Sequence, residues 1–107
     1  MSRVRILVHL RAPEGDQESL RAAYAEIGWT PGGIPGLLTS ELLQDVDRPG
    51  DYALLGEWED LESYRAWQLG PEHVDKPSAL RPFQDRSRGR HYALYRIEAA
   101  DSSAVGH

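Results

Sequence analysis

The chain has 107 residues, no cysteine and a formal net charge of −5, which predicts one domain with room for a single core. The lack of cysteine excludes disulfides, thiolate nucleophiles and cysteine-ligated metals, while the acidic balance argues against nucleic acid or an anionic membrane as a partner. With no signal-peptide pattern and no apolar run of membrane-spanning length, we expect a soluble, cytoplasmic protein.

The first half of the chain predicts a strand, a helix and a second strand. Residues 3–11 (RVRILVHLR) alternate between apolar and polar or mixed positions, as a strand does. Asp16 is a residue type that favours N-caps, and the segment after it carries an apolar stripe at helical spacing. That stripe consists of Leu20, Ala23, Tyr24 and Ile27. Glycines and prolines in 30–36 end the helix, and 37–46 reads as the second strand.

The second half of the chain continues with a hairpin. The predicted elements are a tight turn at 47–51, a strand at 52–58, a helix at 61–69 capped by Asp60, a short helical stretch within 72–80 and a last strand at 90–98. Since a tight turn forbids parallel pairing, the second and third strands must be antiparallel. The order β-α-β-β-α-β predicts a ferredoxin-like α+β fold over residues 1–98, with an antiparallel four-stranded sheet and helices on one face. Residues 99–107 are expected to form a flexible tail.

One face of this sheet is more apolar than a solvated face should be. The residues that alternation assigns to the side away from the helices are Leu7, His9, Ala53, Leu55, Tyr92 and Leu94. Because a lone sheet with helices on one side should be polar on the other, we expect a second sheet to cover this face. A second copy of the chain is the simplest supplier, so the sequence predicts a homodimer whose two sheets pack as a dimeric α/β barrel.

Three aromatic residues lie close together after the third strand. Trp58 ends the strand, and Tyr64 and Trp67 follow at helical spacing. Leu54 and Gly56 share a strand face with Trp58, and the missing side chain of Gly56 leaves a gap beside the indole. The pattern leaves two interpretations open: the rings are packed core, or they wall a pocket for a flat ligand.

Few polar residues fit such a pocket. His73, just past the second helix, is the preferred acid or base, because a neutral imidazole can accept a proton near pH 7; the alternative is a solvated histidine at a helix end. Arg81 belongs to a positive loop that could hold a phenolate or carboxylate, or it is simply solvated. Glu72, His73 and Asp75 are too close in sequence to converge on one ion, so no metal is expected.

Four segments together resemble the antibiotic biosynthesis monooxygenase family. They are IPGLLTSELLQD (34–45), ALLGEWEDLESYRAW (53–67), GPEH (70–73) and HYALYRI (91–97). The resemblance implies a dimeric α/β barrel with a substrate pocket between helices and sheet, and oxidation of aromatic polyketide anthrones by O2 without metal or flavin. It also implies that Trp58 and Tyr64 are pocket residues. Two polar positions of that branch are apolar here, at Leu42 and Leu54.

A haem-degrading branch of the family shares the fold. Its pocket tryptophan corresponds to Trp67, but its haem-ligating histidine falls at Pro77 and its first-strand asparagine near Val8. Haem degradation is therefore the less favoured interpretation.

These observations together predict a small, cofactor-independent oxygenase of aromatic polyketide (antibiotic) biosynthesis. The expected catalytic residues are His73, Tyr64 and Trp58. The expected substrate-binding residues are Trp67, Gly56, Leu54, Tyr24 and Arg81. O2 is the co-substrate, and reduced flavin from a partner reductase is left open as a second electron source. The alternative function is a non-redox polyketide cyclase or a ligand-binding accessory protein of the same fold.

Overall fold

A computed structural model describes residues 3–27, 31–69, 79–87 and 89–101 of the chain. Its elements are β1 (Val4–Arg11), α1 (Gln17–Glu26), β2 (Leu37–Gln44), β3 (Asp51–Trp58), α2 (Leu61–Gln68), a single 3-10 turn at Arg81–Phe83 and β4 (Tyr92–Arg96). The helical stretch predicted within 72–80 lies outside the described residues except at its last two positions, and so does most of the predicted tail. No helix in the described part of the chain is long and apolar enough to cross a membrane.

The strands form one antiparallel sheet in the order β2-β3-β1-β4. This order, with two helices in the connections, is the ferredoxin-like α+β arrangement, and the predicted fold class is confirmed. The tight turn between β2 and β3 makes them neighbours, while β1 pairs with both β3 and β4 at the centre of the sheet.

The core lies between the helices and one face of the sheet. On β1 and β3 the buried positions alternate with more exposed ones, as the sequence predicted. The buried core residues from the sheet and helices include Val4, Ile6, Leu10, Leu20, Ala23, Tyr52, Leu54, Trp58 and Tyr64. Among the described residues Trp58 is the largest fully buried side chain, so the end of β3 is anchored in this core.

The prediction for the uncovered face is wrong at β4. Tyr92 pairs with Val8, and Leu94 pairs with Ile6, which places both on the helix-covered face with the core residues of β1. Ala93 and Tyr95 take their places on the uncovered face, and Tyr95 is 58% exposed. The sequence did not decide this, because both alternating sets of β4 contain apolar residues and only the pairing register selects one.

The register of β2 is interrupted near its start. Leu37 pairs with Trp58 and Thr39 with Glu57, so two β2 residues advance while β3 advances by one. Leu38 is therefore the extra residue of a β-bulge, and its side chain is 38% exposed. Beyond the bulge, the residues of β2 that face the helices are the even-numbered ones instead of the odd-numbered ones. As a result Ser40, which pairs with Gly56, faces the helices together with Leu37.

The start of α2 is held by a side-chain cap and by the loop before β2. The Asp60 carboxylate accepts a hydrogen bond from the Ser63 N–H at 2.7 Å, which confirms the predicted cap. The Glu59 N–H donates to the Gly36 carbonyl at 2.8 Å, tying the loop to the helix. Asp16 occupies the N-cap position of α1, but its side chain makes no capping hydrogen bond.

Gly36 is required by its conformation and by its neighbour. Its φ is +87°, and a Cβ at this position would collide with Ser63 Cβ and lie 2.7 Å from Ser63 Oγ. We expect Gly36→Ala to lower the free energy of unfolding by about 2–4 kcal/mol through backbone strain and overpacking. Gly32→Ala is the matched control: φ is +91° there, but a Cβ would meet nothing within 4 Å among the described residues. It should cost only about 1 kcal/mol in urea unfolding, and equal losses would contradict the steric role of Gly36.

Candidate functional site

Three aromatic rings meet where β3 ends and α2 passes over it. The centroids of Trp58 and Tyr64 are 5.5 Å apart with the rings edge to face. Trp67 tilts against both, with its centroid 5.6 Å from Trp58 and 6.1 Å from Tyr64. Trp58 is fully buried, Tyr64 is 4% exposed and Trp67 is partly buried. These separations are typical of favourable aromatic pairs, and Trp67 is the ring of the three that is partly exposed.

Local structure explains why the rings converge. Alternation along β3 turns Trp58 toward the helices, and the Asp60 cap begins α2 directly afterwards. Residues three apart on a helix are neighbours, so Tyr64 and Trp67 both project back over the end of the strand. The sequence predicted this grouping, and the structure brings the three side chains together.

Beside the rings lies a row of the sheet with little side-chain bulk. Gly56 is buried between Leu54 and Trp58 along β3, and its neighbours across the sheet are Ile6 on β1 and Ser40 on β2. The Tyr24 hydroxyl, from α1, forms a hydrogen bond of 2.9 Å with the Ser40 hydroxyl. Tyr24 was expected near the substrate. Ser40 was not identified from the sequence, because its side of the strand depends on the bulge at Leu38.

The next row of the sheet is apolar. Leu42 and Leu54 are direct partners between β2 and β3. The two positions at which this sequence departs from the anthrone-oxidising pattern are thus neighbours in space, and together they form one apolar patch. Polar groups on this part of the face come instead from Ser40 and Tyr24.

Burial keeps the Tyr64 phenol neutral. Desolvation, with a smaller contribution from Tyr92 and a weak opposing one from Arg65, raises the pKa of Tyr64 to about 12. A phenol with this pKa remains a hydrogen-bond donor throughout the physiological range. It can stabilise a developing oxyanion, but it cannot serve as the proton acceptor near pH 7.

The raised pKa of Tyr64 predicts a loss of stability at alkaline pH. The unfolded chain ionises tyrosine above about pH 10, whereas folded Tyr64 holds its proton up to about pH 12. Unfolding therefore releases a proton in this window, and stability falls as pH rises through it, by up to about 3 kcal/mol. The difference in unfolding free energy between wild type and Tyr64→Phe should shrink over the same window. A difference that stays constant from about pH 9 to 12 would contradict the assignment.

Two expected site residues outside the aromatic cluster are Arg81, which the structure describes, and His73, which it does not. Arg81 begins the 3-10 turn with an exposed side chain, and that side chain makes no hydrogen bond or ion pair with a described residue. His73 lies outside the described residues.

A separate cavity of about 250 Å³ lies near one end of the sheet, and the three clustered aromatic residues do not line it. Its lining includes Leu7, His9, Leu43, Asp45, Asp51, Ala53 and Asp85. Arg11 forms ion pairs with Asp51 and Asp85, at 3.3 and 3.5 Å. Within the described ranges, no three histidine or acidic side chains converge in a way that could hold a metal ion.

Comparison with known proteins identifies the family. The model of the antibiotic biosynthesis monooxygenase family matches residues 3–75, which include β1 to α2 and the whole aromatic cluster. The chain belongs to the antibiotic biosynthesis monooxygenase family. The resemblance noted in the sequence is thereby confirmed.

Two Streptomyces proteins are similar to nearly the whole chain. It is 26% identical over 105 residues to Protein SchA of Streptomyces halstedii, covering 98% of this chain and 28% of that protein. It is 29% identical over 96 residues to a 42.8 kDa protein in the whiE locus of Streptomyces coelicolor, covering 90% of this chain and 23% of that protein. The chain thus spans about a quarter of the length of these relatives.

Among solved structures, the fold is similar to that of SnoaB, described as a cofactor-independent oxygenase from Streptomyces nogalater. The TM-score is 0.73 at 17% identity, and the match covers 97% of this chain and 99% of SnoaB. At this identity the likeness establishes the fold alone, so the chemistry has to be inferred from the residues of the site.

Proposed function

We propose that the protein is a small oxygenase of aromatic polyketide biosynthesis that oxidises a polyphenolic, anthrone-like substrate with O2. The observation that carries this proposal is the cluster of Trp58, Tyr64 and Trp67 beside the buried, side-chain-free Gly56. It offers flat apolar walls and one neutral phenol donor, which are the features that a fused aromatic ring with an ionising oxygen needs. Family membership and the likeness to SnoaB support the same function.

The proposed reaction needs no metal and no tightly bound cofactor, because an electron-rich phenol supplies the electrons. A base removes a proton from the anthrone carbon, and the resulting carbanion passes one electron to O2. The two radicals combine to form a carbon–oxygen bond, and loss of water from the peroxide leaves a carbonyl. One oxygen atom enters the product and the other leaves as water, so the CH2 of the anthrone becomes the C=O of a quinone. Because this reaction balances with O2 alone, it takes no electrons from the reduced flavin that the sequence left open as an alternative.

Each candidate residue has a role in this scheme. His73 takes the proton, and Tyr64 donates a hydrogen bond to the developing oxyanion. Trp58 and Trp67 orient the substrate by stacking and exclude water, while Leu54 and Gly56 form the floor. Arg81, with its exposed guanidinium, attracts an anionic substrate to the entrance.

We also propose that the protein works as a homodimer. The uncovered sheet face carries Leu7, Leu55 and Leu43, and Leu43 is 39% exposed. A second copy packed on this face completes the dimeric α/β barrel.

One observation favours a second function, a non-redox cyclase or ligand-binding accessory protein. The Leu42–Leu54 pair makes the centre of the face apolar, so that the site shapes a ligand with few polar contacts. Such a protein needs a pocket and one acid or base, and it does not consume oxygen.

Oxygen uptake separates the two functions. With 1,8-dihydroxyanthrone as the probe, the oxygenase should consume one O2 per quinone formed, at a rate proportional to protein concentration and above the rate of spontaneous oxidation. Heat-denatured protein is the control for surface effects. If product forms equally fast under strict anaerobiosis, or if native protein adds nothing to the spontaneous rate, the oxygenase proposal is wrong.

A further inference from the structure

We propose that the hydroxyl pair of Tyr24 and Ser40 is the polar anchor that orients the aromatic ligand, holding a phenolic or carbonyl oxygen beside Gly56. The inference rests on the proposed function and adds a specificity-determining pair to it. The pair joins α1 to β2 across 2.9 Å, on the same face as the aromatic cluster.

The position of the pair relative to the rings supports this role. Ser40 lies directly opposite Gly56, so it is the diagonal neighbour of Trp58, at a Cα distance of about 7–8 Å. Gly56 places no side chain between them. A flat ligand that stacks near Trp58 and extends over Gly56 would bring a ring oxygen to the hydroxyl pair.

The hydrogen-bonding capacity of the pair is only partly used. Two hydroxyls carry two O–H donors, and their mutual bond uses one of them. The second O–H has no acceptor among the described residues, and oxygen lone pairs remain available on both groups. The pair can thus donate to a phenolate or carbonyl and accept from a phenol, which matches both the substrate and the product of the proposed oxidation.

The surroundings favour a polar anchor here. Both hydroxyl-bearing residues are half-buried, so a ligand can reach them while they are partly removed from water. In the adjacent row, the β2 and β3 residues Leu42 and Leu54 offer no polar side-chain group. A ligand oxygen placed over these two leucines would lose its water without a partner from them, whereas one placed over Gly56 meets the pair.

Ligand binding to four proteins tests the inference. The proteins are wild type, Tyr24→Phe, Ser40→Ala and the control Thr39→Ala, which removes a hydroxyl from the adjacent residue on the opposite face. The probes are 1,8-dihydroxyanthraquinone and phenanthrene, which has three fused rings and no oxygen, each followed by quenching or transfer of tryptophan fluorescence. We expect Tyr24→Phe and Ser40→Ala each to weaken binding of the dihydroxyanthraquinone by about 3–10-fold and to leave phenanthrene unchanged. Thr39→Ala should change neither.

Other outcomes overturn the inference in distinguishable ways. Equal losses for both probes would mean that the pair only supports the scaffold, and unchanged binding of both probes would mean that no ligand oxygen reaches it. Either result removes the anchor and leaves the oxygenase proposal standing. If wild type binds neither probe, the proposed function fails and the anchor fails with it.

Discussion

His73→Ala is expected to lower kcat for oxidation of 1,8-dihydroxyanthrone by about 10²–10⁴-fold while the protein remains folded. This is the usual contribution of a general base placed within reach of its proton. KM should change little, because in the proposed site the flat ring is held by Trp58 and Trp67 rather than by the imidazole. Circular dichroism and the urea midpoint of the variant should match those of wild type.

The described residues show why a separate base is needed. Tyr64, the polar group inside the aromatic cluster, holds its proton up to about pH 12. Indoles do not accept protons in water near neutral pH, so Trp58 and Trp67 cannot serve either. His73, six residues after Trp67 in the sequence, is the proposed base, because imidazole is the side chain that accepts a proton near neutral pH.

His91 provides the matched control for this prediction. Burial first, and then the charges of Arg86 and His9, lower the pKa of His91 below its ordinary value. The lowered pKa favours the neutral imidazole, but His91 stands just before β4 against Tyr92, with ring centroids 5.1 Å apart. We expect His91→Ala to retain kcat. If His73→Ala keeps full activity from about pH 6 to 9, the base is elsewhere or the substrate ionises unaided.

Leu55→Arg is expected to convert the dimer to monomer or aggregate. Leu55 lies on the uncovered face, paired with Leu7 on β1 and Glu41 on β2. In the proposed barrel this position faces the partner sheet, where a guanidinium would not fit in the space of a leucine and would lose its water even with Glu41 opposite it. The desolvation of a buried charge can exceed what one ion pair returns, and a loss of several kcal/mol is enough to dissociate a micromolar dimer.

Sedimentation equilibrium at micromolar concentration is the measurement for Leu55→Arg. Val46→Arg is the control, because Val46 is apolar but 89% exposed and lies outside the strands, so its charge should remain in water. A wild-type protein that is a stable monomer would contradict the dimer, and so would a Leu55→Arg variant that self-associates as tightly as wild type.

The fold was predictable where the chain carries local signals. Alternation marked β1 and β3, the Asp60 cap marked the start of α2, and the turn at 47–51 fixed the antiparallel pairing of β2 with β3. The faces of β4 were not predictable. Tyr92 and Leu94 are as apolar as Ala93 and Tyr95, so local pattern could not choose between the two registers, and the pairing with β1 decided it.

The candidate site was only partly predictable, because only some of its residues lie in segments with local sequence signals. Trp58, Tyr64 and Trp67 belong to two adjacent elements with strong patterns, and their grouping followed from strand and helix spacing. Ser40 belongs to LLTSELLQ, which has no alternation that marks a face. Its contact with Tyr24 joins residues 16 apart through a bulge, and such a contact depends on tertiary register.

The bulge at Leu38 also gives β2 a spare residue, so the effect of a deletion in this strand depends on where it falls. Deleting Leu38 itself would leave Thr39 opposite Glu57 and Ser40 opposite Gly56, which are their present partners, so the ligand side would be unchanged. Deleting Glu41 while Leu42 stays opposite Leu54 would draw the strand forward, absorb the bulge, and place Thr39 instead of Ser40 opposite Gly56. In this fold a single-codon deletion inside an edge strand can therefore change which hydroxyl faces the ligand without any substitution, and deletions belong beside point mutations in any library meant to alter ligand preference.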